Sequence, residues 1–98
     1  MMKRDEAISR LEERAADLKQ LGVEHLYIFG STARDEAGAD SDVDLFFDYN
    51  RGELGLFELM DVQEAAAQIL GSSTDIMTRD SLHETLRRGI EASALQVF

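Results

Sequence analysis

The sequence predicts a small α/β domain, and three observations lead to this fold class. Segments with helical and with strand periodicity alternate along the chain in the order helix, strand, short helix, strand, helix, strand, helix. A chain of 98 residues has room for one modest core. Hydrophobic residues make up 44% of it, which is typical of a globular protein. We therefore expect one domain over residues 1–98.

The first predicted element is an amphipathic helix over residues 5–21, which ends at Gly22. Its apolar positions recur at helical spacing between charged residues: Ile8, Leu11, Ala15 and Leu18. The apolar run at 25–29 is typical of a buried strand, and Gly30 follows it. Residues 31–36 favour one or two short helical turns.

The second half of the chain continues this alternation. Residues 37–41 form a predicted polar loop, 42–49 a second strand and 50–52 a turn. A long helix is predicted over 53–70, with Gly71 as its end. Its expected core face consists of Leu56, Leu59, Met60, Ala66, Ile69 and Leu70.

A third short strand is predicted at 74–78, followed by a closing helix. Ser81 and Glu84 have the spacing of a capping box at the start of this helix. One helical face is expected to carry Leu82, Leu86 and Ile90.

The charge balance limits the possible partners. With 20 acidic and 10 basic residues the net charge is -10, so direct binding to nucleic acid is not expected, because that binding depends on Lys and Arg contacts to phosphate. A nucleotide held through metal ions is compatible with this charge, and a basic protein partner is favoured by it. The acidity is equally explained as a property that keeps the protein in solution.

Other features of the composition point to a cytoplasmic protein without a membrane span. The apolar runs are only a few residues long, and no basic and apolar leader opens the chain. Cysteine is absent, so neither a disulfide framework nor a thiolate metal site is expected.

A candidate phosphate-binding turn lies where the first strand ends. Gly30 has no side chain, so backbone there can approach a ligand closely. The N–H groups that begin the next helix, together with the Ser31 hydroxyl, are able to bind a phosphate. The alternative is an ordinary strand-to-helix turn with Ser31 as the N-cap.

Two carboxylates begin the second strand ten residues after this turn. Asp42 and Asp44 are two residues apart, so both point to one face, while Val43 and Leu45 point to the core. Adjacent carboxylates repel each other unless a cation lies between them. Oxygen ligands favour Mg²⁺ or Mn²⁺, and a pair of such ions about 3.5–4 Å apart stabilises a phosphoryl displacement. The alternative is a pair of solvated acids at the end of a strand.

Two further residues complete the candidate site. Asp75 lies on the third strand, which could bring it to the same face as a third carboxylate near an acceptor hydroxyl. Arg34 is a candidate for binding the triphosphate, because guanidinium groups bind phosphate oxygens with two hydrogen bonds. A surface ion pair of Arg34 with Glu36 or Asp40 explains this residue equally well.

The Gly-Ser and Asp-x-Asp pattern resembles the signature of the DNA polymerase β-like nucleotidyltransferases. Within that superfamily the chain is most similar to the minimal members, the MNT antitoxins that are paired with HEPN ribonuclease toxins. The likeness covers nearly the whole chain. Gly30 and Ser31 match the phosphate-binding pair, Asp42 and Asp44 match the two metal ligands, and Asp75 matches the third carboxylate.

The resemblance implies a palm fold, in which a mixed sheet is backed by helices. It also implies two Mg²⁺ ions and transfer of AMP from ATP onto a tyrosine of a HEPN toxin, with release of pyrophosphate. Larger relatives carry an extra helical lobe, so we expect a partner protein to supply the acceptor here. Many relatives have Arg-Gly-Glu after the turn, whereas this chain has Asp35 in the middle position, which adds negative charge near the expected triphosphate.

The leading hypothesis is therefore an Mg²⁺-dependent protein adenylyltransferase that acts as an antitoxin. One alternative is an antitoxin that neutralises its toxin by binding and occlusion alone. The other is a nucleotidyltransferase for a small-molecule acceptor. The base preference, the number of transfers and the oligomeric state stay open.

Overall fold

The computed structural model describes residues 3–34, 42–50 and 52–98. The helices are α1 (Arg4–Glu13), α2 (Ala15–Gln20), α3 (Gly30–Ala33), α4 (Leu56–Leu70) and α5 (Glu84–Ser93). The strands are β1 (Val23–Phe29), β2 (Val43–Tyr49), β3 (Thr74–Thr78) and β4 (Leu95–Gln96), and a 3₁₀ turn spans Arg79–Ser81. Across these ranges, none of the helices is both long enough and apolar enough to cross a bilayer.

The strands form one mixed sheet in the order β3-β2-β1-β4. β1 pairs antiparallel with both β2 and β4, whereas β2 and β3 are parallel and are connected by α4. This confirms the predicted α/β fold. The short strand β4 was not predicted, and its pairing extends into the last residues. Leu26 N donates to Phe98 O at 3.1 Å, and Val97 N donates to Leu26 O at 2.7 Å.

The main core lies between one face of the sheet and the helices α1, α2 and α4. Alternate residues of β2, namely Val43, Leu45 and Phe47, point into it, as the period of two along a strand requires. The helices contribute buried residues at helical spacing: Ala7, Leu11, Leu18, Val62, Ala66 and Leu70. The predicted strand at 74–78 is confirmed, and Ile76 closes the core on that side.

The opposite face of the sheet is organised around Arg79. The rings of Tyr27 and Phe46 stack at 4.7 Å across β1 and β2, and the Arg79 guanidinium lies 4.8 Å and 5.2 Å from their centroids. Arg79 also donates to both carboxylate oxygens of Asp48, at 2.8 Å and 3.1 Å, and to Glu91 of α5 at 2.5 Å. These hydrogen bonds, chiefly that with Asp48, raise the pKa of Arg79, and they connect α5 to the sheet.

Two helix boundaries differ from the prediction. The helix expected over 5–21 is interrupted at Arg14, whose φ of -112° is not helical and whose Nε donates to Asp17 at 2.6 Å. The expected capping box of Ser81 and Glu84 is wrong, because Ser81 belongs to the 3₁₀ turn. His83 is the N-cap of α5 instead, and its Nδ1 accepts from Thr85 N at 3.2 Å.

Two residues predicted to be in the core, and one from the predicted apolar face of the closing helix, are exposed. Leu56 and Met60 are 70% and 53% exposed. The side of α4 that faces the sheet is formed by Val62, Ala66 and Leu70, which lie four residues apart, and Leu56 and Met60 lie outside it. Leu86 is 59% exposed, whereas Leu82 is buried before α5 begins.

The pairing of Arg79 leads to a prediction about stability. Replacing Arg79 by Met leaves Asp48 and Glu91 as half-buried carboxylates without their partner, and we expect a loss of about 1–3 kcal/mol in the free energy of unfolding. Arg79→Lys keeps the charge but cannot make the forked contact with Asp48, so it should fall between Met and the native protein. Urea unfolding measures all three. Equal stability of Arg79→Met and the native protein would show that the contacts contribute nothing.

Candidate functional site

The turn between β1 and α3 allows a carboxylate to approach the backbone. Gly30 has a φ of 71°, which favours glycine. A Cβ atom at this position would collide with Oδ2 of Asp44 and would lie 3.3 Å from its Cγ. Ser31 follows in the first turn of α3 and is half-buried. The turn therefore places the two predicted phosphate-binding residues beside the first residues of β2.

The three predicted carboxylates lie at the same edge of the sheet. β2 and β3 are parallel and in register, so that Asp44 is directly beside Asp75. On its other side Asp44 pairs with Phe29, the last residue of β1. Asp42 lies immediately before the first residue of β2, and its negative charge acts on the carboxyl group of Asp44. Asp42 and Asp75 are exposed, and Asp44 is half-buried. We call these three residues the acid cluster.

The electrostatics of Asp44 reflect this arrangement. Burial raises the pKa of Asp44 above its ordinary value, and the negative charges of Asp75 and then Asp42 raise it further. The positive charge of Arg34 acts in the opposite direction. Three charged residues, from three separate parts of the chain, thus act on one carboxyl group. Arg34 is exposed and lies at the end of α3, and the predicted loop at 37–41 lies outside the described residues.

The acid cluster suits a divalent cation by its chemistry. A donor set made only of carboxylates favours Mg²⁺ or Mn²⁺. As they stand, no three acidic or histidine side chains among the described residues are arranged as a complete metal site. The negative charges of Asp75 and Asp42 help to raise the pKa of Asp44, and a bound cation would offset this repulsion. The chemistry of the three carboxylates is therefore compatible with Mg²⁺, and their role as its ligands stays a prediction.

One polar group of the turn was not anticipated. Thr32 is 1% exposed, and within the described part of the chain its hydroxyl has no hydrogen-bond partner. Leaving such a hydroxyl without a partner costs free energy, so Thr32 is a further polar group at the Gly30 turn. No sequence pattern indicates it, because a threonine in a short turn can point inward or outward.

A separate cleft of about 560 Å³ opens at the other end of β2 and β3. Its lining includes Asp48, Leu54, Leu59 and Arg79. Four residues of β2, roughly 13 Å, separate Asp48 from Asp44. The cleft is therefore distinct from the acid cluster.

Comparison with known proteins gives consistent matches. The family model described as "Nucleotidyltransferase domain" matches residues 8–97. A candidate protein adenylyltransferase of Methanocaldococcus jannaschii is 33% identical over 77 residues, which cover 79% of this chain and 82% of that protein.

Solved structures share the fold. A candidate minimal nucleotidyltransferase superposes with a TM-score of 0.82 and 29% identity, over 96% of this chain and 95% of that chain. A chain from the complex of tri-AMPylated Shewanella oneidensis HEPN toxin with its MNT antitoxin superposes with a TM-score of 0.66. That match has 17% identity over 93% of this chain and 71% of the other, so the likeness concerns the fold alone.

The contact between Gly30 and Asp44 can be measured by substitution. Gly30→Ala combines backbone strain at positive φ with the collision of Cβ and Asp44, and we expect it to cost about 2–4 kcal/mol of unfolding free energy. Gly52→Ala is the matched control, because Gly52 has a φ of 82° but a Cβ atom there would meet nothing within 4 Å. It should cost only the strain, about 1–2 kcal/mol. Equal costs in urea unfolding would mean that Asp44 moves away freely.

The repulsion within the acid cluster predicts that Asp44→Asn stabilises the metal-free protein. The pKa of Asp44 is raised in the folded state, so its ionised form destabilises the fold, and stability is lost as pH rises through the folded-state pKa. The variant should be more stable than the native protein at pH 7. This advantage should shrink as pH falls and the native carboxyl becomes protonated. Urea unfolding with a chelator, from pH 3 to 7, measures the difference. A destabilised variant at pH 7 would contradict the electrostatic account.

Proposed function

The chain belongs to the nucleotidyltransferase domain family, and within it we propose that this enzyme transfers AMP from ATP to a tyrosine of a HEPN ribonuclease toxin and so acts as its antitoxin. The observation that carries the proposal is the acid cluster beside the Gly30 turn. A phosphate-binding turn and three carboxylates at one sheet edge are the parts that a metal-assisted displacement at phosphorus requires. Without cysteine, the chain suits the reducing cytoplasm, where we place the reaction.

The choice of substrates is supported by the relatives. A candidate protein adenylyltransferase is 33% identical over most of both chains, which favours ATP as donor and a protein as acceptor. The fold is also found in a complex of an MNT antitoxin with a tri-AMPylated HEPN toxin, which favours a HEPN protein as that acceptor. The net charge of -10 disfavours a nucleic-acid acceptor.

Each residue of the site has a proposed role in binding ATP. Gly30 leaves its backbone accessible to the phosphates, and the hydroxyl of Ser31 donates to a phosphate oxygen. Arg34 adds a positive charge on the same side as Asp44. Asp42, Asp44 and Asp75 would hold two Mg²⁺ ions, which when bound neutralise charge on the phosphates.

The chemical step needs one proton to be removed from the acceptor. The tyrosine oxygen attacks the α-phosphorus of ATP and forms the new O–P bond. The bond between the α-phosphorus and the oxygen that bridges to the β-phosphorus breaks, and pyrophosphate leaves with that oxygen. We propose that the carboxylate of Asp75 accepts this proton. Asp75 is exposed and lies beside Asp44 in the parallel register. A surface position suits a base that must reach a residue of another protein.

The proposal predicts the effect of removing single carboxylates. Asp42→Asn and Asp44→Asn each delete a proposed metal ligand, and we expect AMP transfer to fall by at least about 100-fold. Asp75→Asn should also lose transfer. Intact-mass spectrometry of the toxin after incubation with enzyme, ATP and Mg²⁺ measures the adduct. The toxin should still bind all three variants in calorimetry.

Asp5→Asn is the matched control, because the same change is made on an exposed carboxylate of α1, away from both the acid cluster and the cleft. It should transfer AMP at the native rate. If the native protein silences the toxin without any change of toxin mass, and Asp44→Asn silences it equally well, then occlusion is the function and the proposed transfer is wrong.

A further inference from the structure

Three large apolar side chains on the first turns of α4 are exposed together. Leu56, Phe57 and Met60 are 70%, 78% and 53% exposed. Residues three and four apart are neighbours on a helix surface, so Met60 lies next to both of the others. Single exposed apolar residues are ordinary, but a contiguous group that includes a phenylalanine marks an interaction surface. We call these three residues the α4 patch.

Within the described residues, α4 packs against the sheet with a different side. The inner side of α4 is formed by Val62, Ala66 and Leu70, which are fully buried against the sheet. Leu59, one turn from Leu56, is half-buried and lines the 560 Å³ cleft at the C-terminal ends of β2 and β3. The patch therefore continues into a concavity that can receive an anchoring side chain of a partner.

The surroundings of the α4 patch are acidic. Glu53, Glu58, Asp61 and Glu64 are exposed around it, and α4 contains no basic residue. Interfaces with an apolar centre and a charged rim select partners whose rim has the opposite sign. A second copy of this chain would bring the same acids face to face, which is unfavourable. The complementary partner is a protein surface with an apolar centre and a Lys- and Arg-rich rim.

We propose that the α4 patch is the docking surface for the acceptor protein, and that it lies apart from the residues that carry out transfer. This inference rests on the proposed function, which requires a protein to be held during the reaction. Ten residues of α4, roughly 15 Å, separate Met60 from Leu70, after which the chain returns to the acid cluster at Asp75. Contacts so far from the reacting atoms are made equally in the ground and transition states, so they contribute to binding and not to the chemical step.

The test is a double substitution, Phe57→Ser with Met60→Ser, in the full-length protein. Both side chains are exposed, so the urea unfolding midpoint should not change. Calorimetry with the HEPN toxin of the same organism should show binding weakened by about 10- to 100-fold. The KM for toxin should rise by a similar factor while kcat and the affinity for ATP with Mg²⁺ stay at native values. Leu86→Ser, an equally polar change at an exposed leucine of α5, should leave all of these unchanged.

The charged rim is tested separately by Asp61→Lys with Glu64→Lys. Reversing both charges should weaken toxin binding, and added salt should weaken binding less in this variant than in the native protein.

The outcomes separate this inference from the proposed function. If the native protein transfers AMP and the Phe57/Met60 variant binds toxin with native affinity, the docking surface is wrong and the function stands. If the native protein binds toxin without transferring AMP and the variant loses binding, the docking surface stands and the function falls. If the native protein does not bind the toxin, both are wrong. If it is a dimer that the variant dissociates, the patch contacts a second copy and the inference is overturned.

Discussion

The pairing of β2 with both β1 and β3 is the constraint on which the rest of the structure depends. One set of its alternating residues, Val43, Leu45 and Phe47, forms the centre of the core. The other set begins with Asp44, and the register fixes Asp44 between Phe29 and Asp75. A slip by one residue would exchange the two sets and place carboxylates in the core. The burial of the apolar set therefore also determines the position of the acid cluster.

On the face of the sheet that carries Asp44 and Asp48, the carboxylates repel one another at one end and pair with an arginine at the other. At the Gly30 end, Asp44 lies among like charges that raise its pKa, and Arg34 offsets them only in part. At the other end, Asp48 and Glu91 are paired with Arg79, which also covers two aromatic rings. Carboxylates on the same face thus stabilise the fold at one end and destabilise it at the other. Unfavourable charge confined to one edge is a feature of binding and catalytic sites.

The parts of this structure that follow from local sequence could be predicted. The strand at 74–78 and the turn at Gly30 depend on short-range patterns, and the structure agrees with both. The break at Arg14 and the cap at His83 were missed, because neighbouring side chains decide between conformations of similar energy there.

Features that depend on long-range packing were not predictable. β4 has only two residues, and it exists because Leu26 and the end of the chain exchange backbone hydrogen bonds. Leu56 and Met60 fit the periodicity of a core face, but a helix with apolar residues around much of its circumference does not specify which side packs. The pairing of Arg79 with Asp48 links residues 31 positions apart, and no local pattern indicates it.

The separation of the α4 patch from the acid cluster has a physical basis in a domain of this size. A docking interface becomes stable by excluding water from apolar side chains. Covering Asp42, Asp44 and Asp75 in the same way would remove water from three like charges, whose repulsion and desolvation both grow as the surroundings become less polar. In the proposed function, the acid cluster must also stay open to ATP and to the acceptor hydroxyl. A strong apolar interface is therefore compatible with this chain only away from the acid cluster, and the first turns of α4, at the opposite end of the sheet, meet that condition.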